Sequence, residues 1–141
     1  MLGGALRWWR RRVASRRSSL GRAGERIAAG YLRRRGFRVL GRNVRVRAGG
    51  GEADLVCLAP DRRTIVLVEV KTRSAQAASA GRFEPELAID ARKRRAMLAA
   101  GRALATRHGW RDRPVRLDVI AVRYDESGRH EVRHHVSAVH G

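Results

Sequence analysis

Two neighbouring runs, Glu52–Leu58 and residues 64–71, constrain this chain most. Both are rich in Val, Leu and Ile, and Pro60 and Asp61 between them signal a turn, so they read as a β-hairpin. Leu55, Cys57, Val66, Val68 and Val70 fall on one face, and Val56, Leu58, Ile65 and Leu67 on the other. A hairpin apolar on both faces must be covered on both, which calls for layers above and below the sheet.

The rest of the chain supplies those layers. Leu20, Ile27 and Tyr31 make a helical stripe with small Ala23, Gly24 and Ala28 beside it, and Gly36 is the stop signal, giving a first helix over 20–35. Residues 37–47 alternate apolar and basic, notably at Val44, Arg45, Val46 and Arg47, and lead into a glycine-rich turn at 48–51. Residues 74–85 read as a mobile loop. Leu87, Ala91, Leu98, Ala99 and Leu104 then mark a long helix ending near His108 and Gly109. Val115–Tyr124 alternates as a strand, Ser127 and Gly128 turn, and residues 131–139 supply a last strand. The expected order is α-β-β-β-α-β-β, an α/β domain over 19–141 preceded by a basic, flexible arm over 1–18.

A length of 141 residues suits one domain. Its net charge of +19 would repel itself unless a polyanion neutralised it, which makes nucleic acid the expected partner. Seven arginines and no acid lie in the first 22 residues, so +12 remains on the rest and the charge belongs to the domain as well as the arm. The lone Cys57, in an apolar run, suits a reducing compartment and a core role. No stretch approaches the roughly 20 apolar residues of a membrane span, and no apolar segment follows the first arginines as in an export signal. A cytoplasmic protein without a membrane partner is the expectation.

The hairpin also carries the chemistry. If its turn is centred between Asp61 and Arg62, Asp54 faces Glu69 and Glu52 faces Lys71, and all four project to one side at the open end. Opposed carboxylates about 5 Å apart repel by roughly 3 kcal/mol at an effective dielectric near 20. A divalent cation offsets that cost, and Mg²⁺ (or Mn²⁺) takes one or two carboxylates plus water and substrate phosphate. Lys71 can orient or deprotonate an attacking water, or neutralise developing phosphate charge. Only Lys71 and Lys93 among 32 basic residues are lysine, so a lysine beside the acids is informative.

The residues Gly24-Glu25-Arg26, Tyr31-Leu32, Gly36, Asn43, Gly51-Glu52-Ala53-Asp54-Leu55, Val68-Glu69-Val70-Lys71-Thr72-Arg73, Lys93 and Arg116-Leu117-Asp118-Val119 together resemble the uncharacterised bacterial YraN-like family. The resemblance runs from about Leu20 to the C-terminus. Ala53 departs from it, standing where a larger aliphatic residue is usual. That family is similar to archaeal Holliday junction resolvases and the restriction-endonuclease-like superfamily, whose core is a central mixed β-sheet flanked by helices. The resemblance implies catalytic roles for Glu25, Asp54, Glu69 and Lys71, metal ligation by Asp54, Glu69 and the Val70 carbonyl, and an accessory acid at Glu52. It also implies a metal-dependent endonuclease acting on DNA, including branched or structured DNA, and a homodimer.

Other readings stand beside this one. The same fold and charge would serve a non-catalytic nucleic-acid-binding module in which Asp54, Glu69 and Lys71 are a structural ion group. A basic adaptor whose arm, with Trp8 and Trp9, engages an acidic surface is a third. Glu25 is equally readable as a solvated helix residue beside Arg22 and Arg26. Arg45, Arg47, Arg73, Arg92, Lys93 and Arg94 are the expected phosphate contacts, since mixed signs rather than one sign mark an ordinary solvated face. The histidines His130, His134, His135 and His140 lack zinc spacing, because adjacent residues on a strand point to opposite faces. Asp118, after Leu117 in a strand, suits either the core or the site's edge.

Overall fold

The computed structural model describes residues 19–45, 52–75 and 91–136, with Lys93 and Ala100 described by backbone only. The basic arm, Arg47 with the glycine turn, residues 76–85 of the loop, Leu87 and residues 137–139 of the last strand lie outside the described residues. So does His140.

The order of elements is the expected one: α1 (Ser19–Arg34), β1 (Arg38–Arg45), β2 (Glu52–Leu58), β3 (Ile65–Arg73), α2 (Ala91–Arg107), β4 (Val115–Tyr124) and β5 (His130–His135). The strands form one mixed sheet in the order β1-β2-β3-β4-β5. Three of its pairings are antiparallel, and β3 with β4 is parallel. A parallel pair needs a crossover, and the segment carrying α2 provides it. Within the described residues the last strand runs His130–His135, and Val136 after it is exposed.

The two helices cover opposite faces. Ala28, Ala29 and Leu32 of α1 pack on Leu55, Cys57, Val66, Val68, Ile120 and Val122. Met97, Leu98, Leu104 and Ala105 of α2 pack on Val56, Leu58, Ile65, Leu67, Val115, Leu117 and Val119. The hairpin is therefore buried on both faces, as its composition demands.

The helix stripes differ in detail from the sequence reading. Leu20 is exposed and Ile27 and Tyr31 are only partly buried, whereas Gly24, Glu25, Ala28, Ala29 and Leu32 face inward. Ala91 and Ala99 of α2 are exposed, and Met97 takes a core place. Small residues win the inward face because the helices approach closely. A Cβ at Gly24 would collide with Thr72 Oγ1, and one at Gly101 would lie 2.8 Å from both Leu67 Cδ1 and Val115 Cγ1.

Local chemistry sets the hairpin turn. Asp61 Oδ1 accepts hydrogen bonds from the Arg63 and Thr64 amides, and Oδ2 accepts one from the Thr64 hydroxyl at 2.6 Å. These bonds, those from Thr64 foremost, hold the Asp61 carboxyl down at about 2. Arg62 takes the left-handed conformation the turn requires, with φ 59°.

Burial pushes the Cys57 thiol up to about 12, with the nearby Asp118 carboxylate adding to it. Native protein at neutral pH should therefore react with a thiol reagent only on unfolding. The expected result is labelling that accelerates across the denaturant transition; labelling of native protein at a free thiol's rate would contradict this burial.

Candidate active site

The β2–β3 ladder pairs Leu55 with Val68, Val56 with Leu67, Cys57 with Val66 and Leu58 with Ile65, the register deduced from the turn. Continued by one residue it sets Asp54 opposite Glu69. The backbone pairing ends at Leu55, and Asp54 takes over from it: its Oδ2 accepts the Val70 amide hydrogen at 2.7 Å. Ala53 joins the α2-side core although its parity matches Leu55 and Cys57 of the other face. β2 therefore turns about its axis at this end, and the Asp54 carboxylate leans towards β3 instead of standing straight off one face as expected.

That bond orients more than the acid. In a strand the N–H and C=O of one residue point to the same side, so the Val70 carbonyl also points towards β2, where the ladder has stopped. Asp54 is buried, while Glu69, Lys71 and Glu52 are half-buried. Glu69 and Lys71 share the face of Ile65 and Leu67 by alternation. Glu52 pairs with Arg45 at the end of the β1–β2 ladder.

Glu25 reaches the same end of the sheet from the other layer. Gly24 rests on Thr72, one residue beyond Lys71, and the adjacent Glu25 is buried on α1. A solvated surface role is thereby set aside for it. The absence of a side chain at Gly24 is what lets α1 come so close, a signal the small residues around 24–28 carried in part.

Two of the expected phosphate contacts lie on the first turn of α2. Gly101 rests on Leu67 and Val115, the beginning of β4, and α2 leads into β4 through a short turn. At about 1.5 Å per residue, its N-terminal turns run back towards the end of β3. That end of α2 carries Arg92, exposed, and Arg94, half-buried. Arg45 is exposed; Arg73 is half-buried and reaches back to the Thr72 carbonyl at 3.4 Å. Arg47 and the Lys93 side chain lie outside the described residues.

The available donors are all oxygen: two carboxylates and a backbone carbonyl. Among the described residues no group of three or more His, Cys, Asp or Glu is placed to hold a metal ion. Oxygen donors of this kind suit a hard cation such as Mg²⁺.

Asp118 belongs to the core. It is fully buried on β4, where Arg116 grips it with Nε to Oδ1 at 2.9 Å and a second guanidinium nitrogen to Oδ2 at 3.0 Å. His134 Nε2 lies 2.7 Å from Oδ2, and the His134 ring meets Tyr31 and Phe37 edge-on. This network ties β5 to β4 and α1. Its sequence signal was Arg116 standing two residues before Asp118, hence on the same strand face.

No helix among the described residues is long and apolar enough to cross a membrane. The sequence model of the uncharacterised protein family UPF0102 matches residues 24–122, a span containing Glu25, Asp54, Glu69 and Lys71. A UPF0102 protein of Pelobacter propionicus is 39% identical over 118 residues, covering 84% of this chain and 80% of its own. One from Anaeromyxobacter dehalogenans is 40% identical over 125 residues, 89% of this chain and 87% of its own. One from Geobacter sulfurreducens is 46% identical over 103 residues, 73% of this chain and 74% of its own.

Proposed function

The chain belongs to the uncharacterised protein family UPF0102, and we propose that it is a metal-dependent endonuclease of the restriction-endonuclease-like fold acting on DNA. The observation that carries this reading is the Asp54 carboxylate held on the Val70 amide at 2.7 Å where the β2–β3 ladder stops, with Glu69 and Lys71 on the strand beside it.

In this reading Asp54, Glu69 and the Val70 carbonyl hold Mg²⁺ or Mn²⁺, which when bound supplies positive charge to the phosphate and a more acidic water. The Val70 amide fixes one oxygen of Asp54 and so orients its carboxylate for that task. Lys71 holds a proton donor beside the phosphate oxygen on which charge develops. Glu25, approaching the same sheet end from the other layer, is a further catalytic acid, and Glu52 is an accessory acid. Arg45, Arg73, Arg92 and Arg94 draw in and seat the phosphate backbone, which positions DNA without reading its sequence. Branched DNA as substrate and a homodimeric assembly follow from the resemblance to resolvases.

The test is cleavage of labelled duplex, single-stranded and four-way-junction DNA by the wild type and Asp54→Ala, with Mg²⁺, Mn²⁺ or EDTA. The expected result is cutting that EDTA abolishes and Asp54→Ala lowers by at least about 100-fold, with DNA binding retained. Tight binding with no cutting under any metal would leave the non-catalytic module as the better reading.

A further inference from the structure

Asn43 lies in the middle of β1, in a stretch paired on both sides: Arg42 with Leu55, Val44 with Ala53. The same register sets Asn43 opposite Asp54. One row across the sheet thus reads Asn43, Asp54, Glu69, Val119 and His135, the last two pairings being direct.

Two features of Asn43 are at odds with a plain strand residue. Its φ is 50°, in the left-handed region, whereas antiparallel strand backbone lies near −140°. Asn is one of the few side chains that tolerate this conformation. Its Oδ1 is also buried with no hydrogen-bond partner among the described residues. A buried amide oxygen normally has a partner, and local backbone strain concentrates where function requires a particular placement.

Resting on the proposed nuclease reading, we infer that Asn43 is a positioning residue of the same site, its side-chain oxygen accepting a hydrogen bond from a water shared with the Asp54 carboxylate. The described neighbours along the row on β2 and β3 supply no donor. Asp54 and Glu69, along the row, are carboxylates that as anions only accept hydrogen bonds. Water can donate one hydrogen to Asn43 and the other to a carboxylate while keeping its lone pairs for a cation or a phosphorus centre. Asn43 thereby extends the row of hard oxygens from two strands to three.

Asn43→Gly separates the amide from the backbone, since glycine adopts the same φ without cost from a Cβ. Mn²⁺ affinity of the full chain is read by calorimetry, with thermal unfolding and DNA cleavage alongside. Removing a group that acts through water beside a metal site typically costs about 10- to 100-fold in affinity or activity. The expected result is a loss of that size in Mn²⁺ affinity, with Tm unchanged and, in cleavage, a lower kcat at constant KM. Asn43→Asp, which keeps an acceptor at the same place, should restore Mn²⁺ binding.

Wild-type Mn²⁺ affinity in Asn43→Gly, or a fall that tracks lost stability, would overturn the inference. If the wild type binds Mn²⁺ but cuts no DNA, the nuclease reading alone falls and the Asn43→Gly affinity still decides this one. A wild type that binds no Mn²⁺ removes both.

Discussion

Asp118→Ala should lower the unfolding free energy by about 3–5 kcal/mol, the cost of breaking a buried ion pair by removing one partner. Asp118 is 0% exposed, and the Arg116 side chain that grips it only 18%. Taking the carboxylate away leaves a guanidinium with little water to replace its partner, and leaves His134 without the oxygen 2.7 Å from its Nε2. Against a total of about 5–15 kcal/mol for an ordinary domain, such a loss is a large share of stability. Urea titration of the wild type and variant measures it. Replacing the whole network together, as Arg116→Met with Asp118→Leu and His134→Phe, should return most of the stability, because an apolar group of similar volume carries no desolvation cost. A loss below about 1 kcal/mol for Asp118→Ala would place this pair with exposed salt bridges.

Gly24→Ala should also destabilise, against the trend of helix propensity. In an open helix, replacing Gly by Ala gains about 1 kcal/mol. Here the added methyl meets Thr72 Oγ1, with Thr72 Cβ at 3.1 Å and Cγ2 at 3.2 Å, so α1 must move off β3. Overpacking of this kind costs about 1–3 kcal/mol, enough to cancel the propensity gain and exceed it. The displacement acts on the neighbouring Glu25, so cleavage should fall further than stability does. Thr72→Ala in the same chain removes Oγ1 and Cγ2, leaves only the Cβ contact at 3.1 Å, and should recover most of the lost stability. A Gly24→Ala variant more stable than the wild type would show that α1 has room to retreat.

These two sites mark where reading along the chain stops being informative. Gly24 looks like a helix interruption by propensity, and only its contact with Thr72, far off in sequence, turns it into a requirement. Asp118 stands in an apolar strand next to Leu117, and its partner His134 comes from the following strand and is held against Tyr31 and Phe37. The left-handed backbone of Asn43 leaves no trace in hydrophobic periodicity, because strand alternation continues on either side of it.

The hairpin is the contrary case. Its apolar faces and the Asp61 turn are local features, and the turn alone fixes which residues oppose each other, so the pairing from Leu58 with Ile65 to Leu55 with Val68 followed from counting outward. The element order was legible for the same reason, periodicity and breakers being short-range signals. The sequence by itself thus determined the strands and the register of the hairpin. Only the tertiary structure decided that Asp54 leans onto the Val70 amide, that Glu25 is buried beside Thr72, and that Asp118 belongs to the core, because each depends on how layers distant in sequence pack against one another.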